Sequence, residues 1–324
     1  MADMTPEQAG WFAETFGKLV TNIEQAIVGK PHVVRLSLTC LLSEGHLLLE
    51  DFPGTGKTSL AKSIANTVQG TSSRIQFTPD LLPSDVTGVT IYESQRGTFE
   101  FHPGPVFATI VLADEINRAS PKTQSALLEV MEEGRVTVDG IPHPVGEPFM
   151  VVATQNPIEQ AGTYRLPEAQ LDRFLMKTNL GYPDHESTMT VLAEAANRDR
   201  SASVGPLITA NGVVEMSELA DQVHVDKSLL GYVSRLAQES RRAPHVRLGV
   251  SVRGCLAWVR TAKTWAAAEG RHYVIPDDIK ELAIPVLGHR LLLDAEAEFG
   301  GVAIEDVIGG ILAEVTPPAE RAPE

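Results

Sequence analysis

Apolar positions along the chain keep two rhythms. Up to about residue 183, short apolar runs alternate with stretches of helical spacing, and after Gly181-Tyr182-Pro183-Asp184 helical spacing prevails. Thr5-Pro6 is a good helix start, and Phe12, Phe16, Leu19, Val20, Ile23 and Ile27 then share one face. A break at Ile27-Val28-Gly29-Lys30 leads into a second apolar helix from about Pro31 to Leu42. Leu47-Leu48-Leu49 is too short for a helix and runs into a Pro/Gly-rich turn, after which Thr58 to Ala65 resumes helical spacing. Arg74-Ile75-Gln76-Phe77-Thr78 predicts a strand, and the stretch from Pro79 to Gly88 is too broken by Pro, Gly and Asp for a regular helix. Thr90–Glu93 and Thr98–His102 alternate around Ser94-Gln95-Arg96-Gly97 and predict a hairpin.

Thr109 to Glu115 predicts a buried strand ending in two carboxylates. Ser120-Pro121 opens a helix with Ala126, Leu127, Val130 and Met131 on its core face, and Gly134 ends it. Val136 to Gly140 and Ile141 to Val145 predict a second hairpin turning on Asp139-Gly140. Phe149 to Asn156 is a further buried strand. Strands alternating with helices imply a parallel sheet with helices on both faces. Helices are then expected at Met189–Ala196, Val213–His224, Ser228–Glu239, Cys255–Ala268, Pro276–Leu282 and Ile304–Val315, with Trp258 and Trp265 in their core. The expected division is an α/β core over 1–183 carrying two inserted hairpins, a smaller all-helical domain over 184–315, and a frayed tail over 316–324.

Composition bounds what such a protein does. With 324 residues, 43% hydrophobic and 21% charged, it has enough apolar material for two domains. The formal net charge of −15 and the lack of a dense Lys/Arg run argue against gripping nucleic acid or an anionic membrane. No apolar run approaches the roughly 18 residues that span a bilayer, and Met1 to Glu7 lacks signal-peptide character, so the expected location is the cytoplasm without membrane insertion. Cys40 and Cys255 form no ligand pair and read as reduced thiols.

Candidate chemistry gathers at strand ends. Pro53, Gly54, Thr55, Gly56, Lys57, Thr58 and Ser59 lie between a strand and a helix start, as a loop wrapping phosphates requires. Glycines let backbone N–H groups approach the anion, Lys57 would reach the β- and γ-phosphates, and the Thr58 hydroxyl would ligate Mg²⁺. Asp51 stands where the pattern G-x-x-x-x-G-K-[ST] has glycine. Asp114 would hold Mg²⁺, and Glu115 would polarise an attacking water. Asn156 would orient water near a γ-phosphate. The residues alone leave blander readings open: a plain glycine-rich turn, an exposed acidic strand end, and an asparagine that caps its strand. What strengthens the sharper set is that Lys57, Asp114 and Asn156 all fall at or just past carboxyl ends of strands, where open α/β sheets bind ligands. His102 and His143 sit beside prolines without a second ligand at metal spacing.

With these residues in view, the chain resembles the MoxR-type AAA+ ATPases over nearly its whole length. The likeness rests on Leu49 to Thr58, His102-Pro103-Gly104-Pro105-Val106-Phe107, Ala113-Asp114-Glu115-Ile116-Asn117-Arg118-Ala119, Pro121 to Glu129, Ala153-Thr154-Gln155-Asn156-Pro157, and Leu166 to Phe174. Asp51 is at home in that family. The resemblance implies a P-loop AAA+ core and helical lid binding ATP and Mg²⁺, in a homo-oligomeric ring, most naturally a hexamer. It implies Asn156 as first sensor and Arg173 as the arginine finger lent to a neighbouring subunit, with Arg118 and Arg165 as alternatives. Arg253 would be the lid's second sensor, and Val28-Gly29 the segment beside adenine, where Lys30 replaces the more usual glutamine. Relatives act as chaperone-like machines that mature partner complexes, often with proteins bearing a von Willebrand factor A domain. Rival implications are a magnesium chelatase-like motor subunit, a nucleotide-switched scaffold, and a DNA-acting AAA+ protein, the last disfavoured by the acidity.

Overall fold

The computed structural model describes residues 3–52, 54–156, 163–193 and 200–318. Pro53, Pro157, the end of the helix expected over Met189–Ala196 and residues 319–324 of the expected tail lie outside the described residues. The described residues fall into two compact units: an α/β unit, Lys18–Phe174 with Thr178–Val214, and a helical unit, Met1–Gly17, Leu175–Lys177 and Glu215–Glu324. The expected boundary at 183/184 thus falls inside the α/β unit, and the start of the first helix belongs to the helical one.

Helix α1 (Pro6–Glu24) and helix α2 (Pro31–Leu42) form where their apolar spacing predicts. Phe12, Phe16, Leu19, Val20, Ile23 and Ile27 are all buried. In the α/β unit, strand β1 (Leu47–Glu50) leads through the glycine loop to α3 (Lys57–Thr67). Strand β2 (Ser72–Gln76) precedes a single helical turn, α4 (Pro83–Thr87), and a hairpin of β3 (Gly88–Glu93) and β4 (Thr98–Pro103). Strand β5 (Ile110–Asp114) is followed by α5 (Pro121–Glu133), a hairpin of β6 (Arg135–Val138) and β7 (Ile141–Pro144), and β8 (Met150–Gln155).

Four strands of this unit lie in the order β2-β5-β8-β1, all parallel. The pairing sets Ala113 beside Ala153 and Leu48 beside Ala153, so β8 runs between the strand that ends in two carboxylates and the strand that enters the glycine loop. Strands β5 and β8 are apolar and buried, as a central parallel strand must be when both faces are covered. Val111, Ala113, Ile116, Leu127, Leu128, Val151 and Phe174 belong to the core beneath them.

Two expectations need correction. The stretch from Pro79 to Gly88 does hold a helical turn, α4, because Pro83 sits at its first position and the Asp85 carboxylate accepts from the Leu82 N–H at 2.8 Å, supplying the partner that a short helix needs. The helical unit also carries a small antiparallel ribbon, Val246–Leu248 against Leu292–Leu293, among helices that include Lys227–Ser240, Val252–Ala268 and Ile304–Glu314. Trp258 is buried there as expected, its indole N–H donating to the Ile279 carbonyl at 2.8 Å.

Candidate functional site

Three neighbouring strands end on the same edge of the sheet, and each delivers part of the expected site. From β1 the chain passes through Gly54 (φ +83°) and Gly56 (φ +98°), left-handed positions at which a Cβ would meet open space. Gly56 is the residue before the first turn of α3, so the unpaired N–H groups at that helix start are preceded by a loop only glycine adopts without strain. Lys57 is nearly buried, its ammonium donating to the Asp51 and Phe52 carbonyls at 3.3 and 3.1 Å. The Thr55 hydroxyl donates to the Phe52 carbonyl at 3.2 Å, while Thr58 and Ser59 are half-buried on the first turn of α3.

Asp51, odd against the general phosphate-loop pattern, has a structural cause. Its buried carboxylate accepts from the backbone N–H groups of Phe52 (2.9 Å), Leu180 (2.7 Å) and Gly181 (3.1 Å). The same stretch meets the expected adenine segment. Lys30 donates to the Tyr182 carbonyl at 2.8 Å, and the Tyr182 ring stacks on Phe52 with centroids 5.9 Å apart. A side chain at Gly29 (φ +72°) would run into Ser187 Oγ. Val28 is half-buried beside it. Residues 180–187 therefore hold both ends of the expected nucleotide site, which the sequence reading did not foresee.

At the end of β5 the two carboxylates are fixed differently. Asp114 is buried; its Oδ1 accepts from the Thr154 hydroxyl at 2.6 Å and its Oδ2 from Arg74 Nη2 at 2.5 Å. Glu115 sits in left-handed backbone (φ +56°), its N–H donating to the same Thr154 oxygen at 2.8 Å. Its carboxylate accepts from Gln76 at 2.8 Å and from Arg118 at 3.1 Å. A non-glycine residue in that region costs of order 1–3 kcal/mol, which a bond to a buried hydroxyl helps to offset. Thr154, Arg74 and Gln76 escaped the sequence reading. The available signal was the pair of polar side chains two apart on β2, which alternation puts on one face of the sheet.

The remaining expected residues lie farther out. Asn156 follows directly on β8, half-buried. Arg173 pairs with Glu132 of α5 at 2.9 Å. Arg118 is engaged by Glu115, and Arg165 is exposed. Arg253 is an exposed residue in the first turn of helix Val252–Ala268 of the helical unit, a helix capped by Ser251, whose hydroxyl accepts from the Gly254 N–H at 3.0 Å. Thr58 and Asp114 offer a hydroxyl and a carboxylate, the hard oxygen donors that suit Mg²⁺.

One reading of the sequence is revised outside this edge. Hairpin pairing carries Glu93 and Glu100 to His102, with ligand atoms within 4.8 Å of one another, although no second ligand stood at metal spacing in the chain. Arg96 already supplies countercharge there, bonding Glu100 at 2.5 Å.

Comparison with known proteins gives the family of the chain. Residues 46–176 match the family described as ATPase family associated with various cellular activities (AAA), and residues 238–309 match the AAA lid domain. The chain is 47% identical to the uncharacterized protein YeaC of Bacillus subtilis, over 94% of this chain and 96% of that one. It is 40% identical to Chaperone MoxR1 of Mycobacterium tuberculosis, over 95% of this chain and 84% of that one. A crystal structure from Cytophaga hutchinsonii, of a protein assigned as an ATPase, superposes with a TM-score of 0.90 at 38% identity, covering 96% of this chain and 97% of that one.

Proposed function

The chain belongs to the MoxR-type AAA+ ATPases, and from that premise we propose that it hydrolyses ATP with Mg²⁺ in a ring of subunits and uses the cycle to remodel partner proteins. The observation that carries the reading is the parallel order β5-β8-β1, which aligns the carboxylate pair Asp114-Glu115, Asn156 and the glycine loop along one sheet edge. Nucleotide binding and ATPase activity are traits of the family; the residue roles below are our assignment.

Backbone N–H groups from Gly54 to Thr58, with flanking Ser59, wrap the phosphates, and the positive end of α3 favours the anion. Lys57 leaves two carbonyls to meet the β- and γ-phosphates, a step that exchanges neutral acceptors for charged ones. Thr58 and Asp114 would hold Mg²⁺, which when bound neutralises charge across the phosphate oxygens. Glu115 takes the proton of the attacking water once its carboxylate is released from Gln76 and Arg118. Asn156 orients the water. Val28 and Gly29 flank the adenine. Arg173 from an adjacent subunit and Arg253 from the lid stabilise charge on the transferred group, which makes activity a property of the assembled ring, most naturally a hexamer.

The remodelling role is supported by the name of the Mycobacterium tuberculosis relative, a chaperone, and by the two hairpins, which form two-stranded sheets of their own outside the parallel sheet. On this reading the client is a protein, a von Willebrand factor A domain partner being the first to try, and the site of action is the cytoplasm. Replacing Lys57 by Ala tests the core of the proposal by titration with a fluorescent ATP analogue in Mg²⁺. Binding should vanish, and retained affinity would mean that another loop holds the nucleotide.

A further inference from the structure

Arg74 lies on β2, two residues before Gln76, and the two share the face of the strand that looks to the end of β5. Its guanidinium reaches Asp114 Oδ2 at 2.5 Å and Gln76 Oε1 at 3.0 Å. The two oxygens of Asp114 are therefore held by unlike partners. Oδ1 accepts a hydrogen bond from the hydroxyl of fully buried Thr154, a neutral group fixed in the sheet, whereas Oδ2 is covered by a cation whose own side chain is 52% exposed. The arginine side of this pair is half in water and can be rehydrated as it leaves, while the buried Asp114 keeps its bond to Thr154 and needs another cation in place of the guanidinium. Water can replace Asp114 as its partner, and nothing comparable can replace Thr154.

We propose that Arg74 is a gatekeeper on the metal carboxylate: its guanidinium occupies the Asp114 oxygen that a divalent cation would use, so that Arg74 sets how much Mg²⁺ the nucleotide site requires. The inference rests on the assignment of Asp114 to Mg²⁺ made above. A carboxylate oxygen cannot give its full charge to a guanidinium and to a hard dication at once. Arg74 would therefore compete with a bound dication for Oδ2, while Thr154 keeps the other oxygen in place. Between turnovers the same guanidinium returns and neutralises a carboxylate that would otherwise be buried without a countercharge. The polar alternation on β2 puts Arg74 and Gln76 on one face, but the partner of Arg74 is set by the pairing of β2 with β5.

The test is made on the full chain with a fluorescent, non-hydrolysable ATP analogue, recording the Mg²⁺ concentration at half-maximal nucleotide affinity, so that the readout is independent of turnover. Arg74→Ala should lower that concentration by about two- to fivefold, the range corresponding to loss of a half-exposed ion pair. Arg74→Lys, which keeps a cation on the strand, should stay near the wild type. In an Asp114→Asn background the Arg74→Ala effect should disappear, since the competition then has no object. An unchanged Mg²⁺ requirement in folded Arg74→Ala overturns the proposal, and an increased one shows that Arg74 positions Asp114 for the metal. If Asp114→Asn alone leaves the Mg²⁺ dependence intact, the assignment of the metal carboxylate falls, and this inference falls with it.

Discussion

Arg173 is held by Glu132 on its own chain, so a finger that is to serve a neighbour must first let go of a glutamate at home. The pair is partly exposed and correspondingly weak, which makes the exchange feasible when a subunit with bound triphosphate docks. Arg173→Ala should leave nucleotide affinity unchanged and reduce steady-state phosphate release by about 10³-fold. Turnover that survives would pass the role to Arg118 or Arg165. Beside the expected adenine segment, the Ser187 N–H and hydroxyl beside Asp184 hold its carboxyl below the ordinary value of 3.8. A depressed carboxylate stabilises the folded turn above the ordinary value and loses that contribution as pH falls through the folded one. The Ser187 amide resonance should accordingly titrate with a midpoint below 3.8, and a midpoint at or above it would remove the bond's assigned effect. At this scale the sequence disclosed the residues whose meaning is local, such as Lys57 with its glycines and Asp114-Glu115 at a strand end. Thr154, Arg74 and Gln76 were hidden because their meaning comes from lateral neighbours, and register between distant strands is not written in either strand alone.

Among the elements, those with strong punctuation were legible. Ser120 caps α5, accepting from the Thr123 N–H, Pro121 opens it and left-handed Gly134 closes it, and the hairpin after it turns on Asp139 and Gly140, both at positive φ. Strand β2 begins two residues before the stretch Arg74–Thr78 that apolar Phe77 favours, and the paired residues that open it, Ser72 and Ser73, are polar. An edge position in the order β2-β5-β8-β1 tolerates such polarity. The root of the first hairpin is more demanding. Gly88 has φ +99°, and a Cβ there would lie 2.3 Å from the His102 carbonyl oxygen and 2.6 Å from the Gly104 N. Gly88→Ala should lower stability by about 1–3 kcal/mol, measured as a drop in Tm, with loosening concentrated in β3 and β4. An unchanged Tm would show that the root of the hairpin gives way without cost.

For the whole molecule, fold class and family were readable because phosphate binding constrains a loop, a strand order and a helix start together. The client was not readable, since the hairpins present general-purpose apolar groups, with Phe99 73% exposed and tilted against Tyr92, and Ile141 59% exposed on the other hairpin. A finger supplied in trans makes the rate per subunit depend on assembly. Specific activity should therefore fall on dilution, in step with loss of the oligomer seen by light scattering, and a rate independent of protein concentration would contradict an intersubunit site. Glu115→Gln should bind ATP without turning it over and so hold both ring and client for capture. With a net charge of −15, the assembly should also show no salt-sensitive retention on duplex DNA.

Asp51 gives a warning to anyone tempted to tidy this loop. Restoring the glycine of the common pattern would look like a repair on paper, yet it would strip three amides, two of them from residues 180 and 181, of the acceptor they share. Each amide left dry forfeits roughly 1–3 kcal/mol, so the improved consensus would yield a chain with a phosphate loop cut from its mooring.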